Sequence, residues 1–234
     1  MATRLFFFAV LLEVAAATPT DLIRRQTACQ EVHFFIARGS TEPYPGRQED
    51  LVNAVCEGLP SCGYEAIIYP AAFEDYCGSA YGGVVNGTAQ ITAYAESCPD
   101  AKLVLTGYSQ GGHVVGDILG GGGGEIPNQG CTQPENTPLS PETFPGNKIV
   151  ATTLFGDVRH TASQTYNVGT GAAGNGILPR SGTELESLNR FSELLHSWCF
   201  VDDPVCAGGS DVNAHLEYFD ASMSEAAAWV KTKI

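Results

Sequence analysis

The sequence predicts an α/β fold, a compact three-layer α/β/α sandwich around a central five-stranded parallel sheet. Three observations carry this expectation. Short apolar runs alternate with segments of helical period, as in a parallel sheet covered on both faces. One run, Lys102-Leu103-Val104-Leu105-Thr106, leads into Gly107-Tyr108-Ser109-Gln110-Gly111 and then a helix-like segment, residues 113–119, giving strand, tight turn and helix in succession. Finally, 234 residues suffice for one domain with a sizeable core.

In chain order, residues 32–37 read as the first strand and residues 51–59 as a helix. Ala66-Ile67-Ile68-Tyr69 reads as the second strand, stopped by Pro70. Residues 84–95 read as a helix, with Ile91, Tyr94 and Ala95 at helical spacing. Residues 103–106 form the third strand, 149–155 the fourth and 194–201 the fifth, before a last helix over about 221–230. Two regions break the pattern. Five consecutive glycines, 120–124, precede Pro127, Pro134, Pro138, Pro141 and Pro145, so neither helix nor regular strand is expected there. Residues 159–189 are rich in Gly, Ser and Thr. Long loops in compact domains commonly form functional walls, so these two segments are expected to set the width of any binding groove. No repeat and no Ser/Thr/Pro linker is visible, which predicts a single domain over 26–234 without a second module.

Residues 1–17 have the form of a secretory signal: Arg4, an apolar core over 5–12, and Ala15-Ala16-Ala17 as a small-residue cleavage site. The apolar run is too short to span a bilayer. Arg24-Arg25 reads as a dibasic processing site, making 18–25 a propeptide and Gln26 the mature start. The net charge is −14, and removing residues 1–25 takes away three basic and two acidic residues, leaving −15. Such a surface repels phosphate backbones and anionic lipid, which argues against nucleic acid and membrane partners. It suits a secreted, extracellular protein, expected to be a monomer. The eight cysteines all follow the signal and read as four disulfides. With no C-x-x-C pair or His cluster, no metal is expected. Asn86-Gly87-Thr88 is the only N-x-S/T sequon and marks Asn86 as a candidate glycan acceptor.

The G-x-S-x-G turn makes Ser109 a candidate nucleophile. Side chains at 107 or 111 would clash in so tight a turn. The turn lifts the serine hydroxyl above the carboxyl ends of the strands and aims the Gln110 amide, at a helix N-terminus, toward a developing oxyanion. Such a serine needs a base, and the base needs an orienting carboxylate, in the chain order Ser, Asp or Glu, His. His33 lies in the first strand, His113 one helical turn past Ser109, and His196 in the fifth strand. Asp203 and His215 are favoured: Asp203 lies just past the fifth strand in Asp203-Pro204-Val205-Cys206, a loop that Cys199 and Cys206 are able to close, and His215 precedes the last helix. Asp157 with His160 is the rival pair, and Asp202 cannot be separated from Asp203 by chemistry alone. Ala37-Arg38-Gly39-Ser40-Thr41-Glu42 follows the first strand, where a second oxyanion donor at Ser40 is expected.

These four segments together resemble the fungal cutinase and acetylxylan esterase family, a group of compact α/β-hydrolase serine esterases, over nearly all of residues 29–234. The resemblance implies Ser109, Asp203 and His215 as the catalytic triad, and selects Asp203 over Asp202 and Asp157. It implies an oxyanion hole from Ser40 and Gln110 and disulfides Cys29–Cys98 and Cys199–Cys206. Cys56–Cys62 and Cys77–Cys131 are the expected remaining pairs. It also implies ester hydrolysis through an acyl-enzyme, without a cofactor, on a plant cell-wall polymer. Gly120–Gly124 with Pro127-Asn128-Gln129-Gly130, Gly156-Asp157 and Tyr166-Asn167-Val168-Gly169-Thr170-Gly171 look like the acetylxylan esterase branch, whereas Arg38-Gly39-Ser40-Thr41 has the cutinase form. Deacetylation of xylan is therefore the leading expectation and cutin hydrolysis the alternative. A secreted binding or effector protein with its catalysis lost is a third.

Overall fold

The structure is a computed structural model that describes residues 29–126 and 129–234. The predicted signal, propeptide and mature start lie outside the described residues, as do Pro127 and Asn128. The strands are β1 (Val32–Ala37), β2 (Cys62–Ala66), β3 (Lys102–Tyr108), β4 (Gly122–Ile126), β5 (Cys131–Asn136), β6 (Ile149–Phe155), β7 (Asn167–Val168) and β8 (Leu195–Trp198). The helices are α1 (Glu49–Cys56), α2 (Tyr76–Ser97), α3 (Gln110–Gly120), α4 (Gly182–Asn189), α5 (Val212–Leu216), α6 (Tyr218–Ala221) and α7 (Met223–Lys231). The main sheet is parallel with the order β2-β1-β3-β6-β8-β7. It thus has six strands rather than the five expected, because two residues, Asn167 and Val168, add a short edge against Ser197 and Trp198.

The alternation of β1 explains the three layers. Phe35 and Ala37 point into a core shared with α2, α3 and Leu188 of α4. Val32, Phe34 and Ile36 point into the opposite core, against Leu51, Val52 and Val55 of α1 and Ala226, Ala227 and Val230 of α7. Parallel pairing brings the carboxyl ends of β1, β3 and β6 to one edge, with Ala37 opposite Gly107 and Tyr108 opposite Phe155.

Several elements depart from expectation. β2 ends at Ala66, where the apolar run was expected to begin. It is an edge strand, so its residues do not need to be apolar on both faces, and Ile67 is buried just beyond it while Ile68 is largely exposed. Helix α2 starts eight residues earlier than its apolar spacing suggests, with the Asp75 carboxylate accepting from the Gly78 amide at 3.3 Å. Its glycines hide the pattern because they are contact points: a Cβ on Gly83 or Gly87 would meet Val114 or Ile118 of α3 at 2.8 or 2.7 Å. Asn86, the candidate glycan acceptor, is exposed on α2, and its Nδ2 donates to the Ile68 carbonyl at 2.7 Å.

The glycine- and proline-rich segment is also more ordered than its composition suggests. Residues Gly122–Ile126 pair antiparallel with Cys131–Asn136, where Gly123 and Gly124 take positive φ at an irregularity in the ladder. Disulfide Cys77–Cys131 ties this hairpin to α2. The other three disulfides join Cys29 to Cys98, Cys56 to Cys62, and Cys199 to Cys206. The expected last helix is α7, which begins at Met223, with buried Ser222 separating it from the short α6.

Candidate active site

Strand β3 delivers its chain to the sheet edge at Tyr108, and α3 begins at Gln110, so Ser109 alone makes the turn. It does so with φ 54° and ψ −119°, a strained backbone for a non-glycine residue. Its amide donates to the Phe155 carbonyl at 2.9 Å, which pins the turn to β6. Gly107 and Gly111 are required sterically: an added Cβ on Gly107 would strike the Gly111 carbonyl, and one on Gly111 would strike the Ala37 carbonyl.

Ser109 Oγ lies 3.0 Å from His215 Nε2, and His215 Nδ1 lies 2.8 Å from Asp203 Oδ2. Asp203 sits in the loop closed by Cys199–Cys206, and α5 carries His215. His215 is held from two sides: Tyr108 donates its hydroxyl to the His215 carbonyl at 2.8 Å, and the two rings stack with centroids 5.1 Å apart. Gly156, with φ 55°, leaves the space that the imidazole occupies. Asp203 is fully buried. Burial alone would push its carboxyl up. The hydrogen bond and charge of His215, the Tyr218 hydroxyl and the Val205 amide more than offset this and hold it below the ordinary value.

The alternatives are not assembled. Asp202 is exposed in the turn after β8, and His215 pairs with Asp203 instead. Asp157 pairs with Arg180 at 2.7 Å, and His160 Nδ1 faces Ser197 Oγ at 3.1 Å. His113 is buried between Tyr76 and Asp117, both at 3.0 Å, and belongs to packing. His33 stacks on Tyr94 and His196 on Trp229.

The turn after β1 is fastened on every side. Arg38 donates to the carbonyls of Glu42, Tyr69 and Pro70 at 2.8, 2.8 and 2.9 Å, while the Gly39 amide donates to Glu42 Oε2 at 2.8 Å. Thr41 takes φ 62° and its amide donates to the Ala71 carbonyl. Among the described residues the Ser40 and Gln110 amides engage no protein acceptor. The Gln110 side chain is buried and occupied elsewhere, accepting from Ser79 Oγ at 3.1 Å and donating to the Ala72 carbonyl at 2.9 Å, so only its amide is left for a ligand.

Ser109 and His215 open into a groove of about 640 Å³ walled by Ser40, Glu42, Tyr44, Arg47, Glu49 and Leu216. The 40–49 loop and the end of α5 therefore make this groove. Neither of the two long segments expected to do so lines it: the hairpin of the first is tied to α2 by Cys77–Cys131, and its glycines 120–124 face Thr183, Glu184 and Ser187 of the second across a separate cavity. Arg47 spans the groove, paired with Glu42 at 2.8 Å and donating to the Leu216 carbonyl at 3.2 Å. Sequence reasoning did not single out Tyr108, Tyr218, Gly156 or Arg47 as parts of this site. Tyr218 had one signal available, its place three residues after His215. Among the described residues no cluster of three His, Cys, Asp or Glu side chains is arranged to hold a metal ion. The site has a hydroxyl in line with an imidazole and a buried carboxylate, beside two unengaged amides. Those groups suffice for nucleophilic acyl transfer.

The cutinase family model matches residues 28–234. Acetylxylan esterase 2 of Talaromyces purpureogenus is 34% identical over 98% of this chain and 98% of its own length. Cutinase 11 of Verticillium dahliae is 31% identical over 96% of this chain and 76% of its own. The catalytic core domain of acetyl xylan esterase from Trichoderma reesei superposes with a TM-score of 0.77 at 30% identity, covering 88% of this chain and 100% of that one. The chain belongs to the cutinase family and is a carboxylic ester hydrolase.

Proposed function

We propose that this chain is a secreted serine esterase that removes acetyl groups from xylan through a Ser109–His215–Asp203 triad. The observation that carries the reading is the hydrogen-bonded chain from Ser109 through His215 to Asp203, at 3.0 and 2.8 Å, opening on a solvent groove. His215 takes the proton of Ser109 as the hydroxyl attacks the ester carbonyl. Asp203 holds the imidazole in the tautomer that keeps Nε2 free and stabilises the imidazolium. The Ser40 and Gln110 amides receive the oxyanion, each contributing ~3 kcal/mol to the transition state. His215 then protonates the leaving alcohol, and water cleaves the acyl-enzyme with the roles reversed. Both relatives with "acetylxylan esterase" or "acetyl xylan esterase" in their names support the substrate class, as does a groove walled by Glu42, Tyr44, Arg47 and Glu49, whose polar groups suit sugar hydroxyls.

A second reading, hydrolysis of cutin polyester, is favoured by one feature. Val212 and Leu216 are four residues apart on α5, which carries His215, and are 62% and 41% exposed. They form an apolar ledge beside the base on which a longer acyl chain would rest. Hydrolysis of p-nitrophenyl esters from acetate to palmitate separates the readings. A sharp preference for acetate, together with acetate release from acetylated xylan, is the expected result. Rates that hold through butyrate and beyond would favour cutin. Ser109→Ala is expected to lower kcat by about 10⁵-fold or more with the fold intact. Retained activity in pure variant would sink the triad.

A further inference from the structure

We propose that Tyr218 is a positioning residue of the acyl-transfer machinery, sharing Asp203 Oδ2 with His215 and fixing both the orientation and the charge of that carboxylate. The inference rests on the triad reading and extends it to a residue outside the triad. Tyr218 is fully buried, with its ring stacked on Phe200 at 4.6 Å and set edgewise against Tyr108. Its hydroxyl lies 2.6 Å from Asp203 Oδ2. The direction of the proton follows from the other neighbours. The Phe200 amide, at 3.2 Å, is a donor, so the hydroxyl oxygen accepts there. Cys206 Sγ, at 3.2 Å, is a disulfide sulfur and a weak acceptor at best. The carboxylate is the one strong acceptor in reach, so the phenol proton lies on the Asp203 side.

The inventory at Asp203 is then complete. Oδ1 accepts from the Val205 and Cys206 amides at 2.6 and 3.3 Å, and Oδ2 accepts from His215 and Tyr218 at 2.8 and 2.6 Å. Four donors leave the carboxyl group no rotation that keeps them all, so the plane that orients His215 is set by the other three. Phenylalanine would fill the same aromatic stack. A hydroxyl there would have to be desolvated at a cost unless it had a partner, and its partner is the carboxylate behind His215. The donor also spreads the negative charge away from the His215 bond. The other titratable or charged groups facing this cluster are Tyr108 from β3, His160 from the segment after β6, and, beyond Tyr108, Arg47 and Glu42. Burial holds His160 below its ordinary value.

The test is Tyr218→Phe, alone and combined with Asp203→Asn, assayed on p-nitrophenyl acetate from pH 4.5 to 9 with Ser109→Ala as the blank. Tyr218→Phe is expected to lower kcat about tenfold with KM unchanged, the scale of one hydrogen bond to a charged group. The acid limb of kcat/KM should move up by about half a unit, because an Asp203 with one donor fewer stabilises the imidazolium more. In the Asp203→Asn background the same substitution should cost less than about twofold, since the coupling is then gone. An unchanged acid limb, or an equal loss in both backgrounds, would overturn the proposal and leave Tyr218 as packing. Wild-type activity that survives Ser109→Ala would overturn the triad reading and this proposal with it. Fluorotyrosine at 218 keeps the ring and strengthens the donor, so it folds even if Tyr218→Phe does not. It is expected to move the acid limb down, and an unmoved limb again overturns the proposal.

Discussion

Gly156 shows how a residue without a side chain is part of this site. It ends β6 with φ 55°, and its amide donates to the Trp198 carbonyl at 3.0 Å. A Cβ there would come within 2.7 Å of His215 Cε1 and 3.1 Å of Tyr218 Cε2. The imidazole would have to move, and it sits between Ser109 Oγ and Asp203 with little slack on either side. Gly156→Ala is expected to lower kcat by about 100-fold, as a misplacement of about 1 Å does, with KM nearly unchanged. It should also cost about 1–2 kcal/mol of stability from the left-handed backbone. Steady-state kinetics with a thermal melt check both, and an alanine variant with wild-type kcat would show that the imidazole does not need this space. Ser109 was named as a candidate by its turn, and His215 by its residue type, its place after Ser109 and Asp203 in the chain, and the family resemblance. Gly156 and Tyr218 were not. Their roles are defined by which atoms lie across the fold from them, and neighbours in space leave no mark on the local pattern.

The same division holds for whole elements. β1 and β6 have the bounds that their apolar runs predict, because central strands of a parallel sheet are buried on both faces. β2 escapes that rule as an edge strand, and β7 is two residues that exist only because β8 offers a free edge. The β4–β5 hairpin was hidden by composition. Its glycines and prolines forbid an isolated strand, but a disulfide to α2 and the side of α3 give it something to fold against. This argues for a split between stability and activity. Cys77–Cys131 closes a stretch of 54 residues, so replacing both with alanine should cost about 2–4 kcal/mol. Among the described residues none of the hairpin lines the groove at Ser109, so kcat/KM on p-nitrophenyl acetate at 25 °C should stay within about twofold. Replacing Cys199 and Cys206 should do the reverse and abolish most activity, since that bridge holds the loop of Asp203. Equal activity losses in the two double variants would contradict this separation.

Across the molecule, acidification sets two effects against each other. The chain carries a net charge of −14, so protonating carboxylates relieves self-repulsion and favours the compact state. Buried histidines oppose this. Burial lowers His33 to about 4, and lowers His160 and His196 as well. In the unfolded chain an imidazole titrates near ~6.5. Between the two values the unfolded state binds the proton and the folded state does not, so stability is complete above ~6.5 and falls with pH down to the folded value. Glu65 works the other way: burial raises it to about 6, and its protonation favours folding below that pH. Asp117 is pushed up by burial but held well below the carboxylate range by His113, Arg180 and Arg159, so it keeps its charge through this window. For His33 the loss between pH 7 and 4.5 is about 2–3 kcal/mol, or roughly 5–10 °C in Tm for a domain of this size. Salt decides which effect is seen, because about 0.5 M shortens the Debye length to roughly 4 Å and suppresses the surface term while leaving the buried one. In high salt, Tm is therefore expected to fall from pH 7 to 4.5. His33→Phe, which keeps the stack on Tyr94 and has nothing to protonate, should remove a good part of that fall. Wild type and His33→Phe melting with the same pH slope would mean that the buried imidazole is not what the acid attacks.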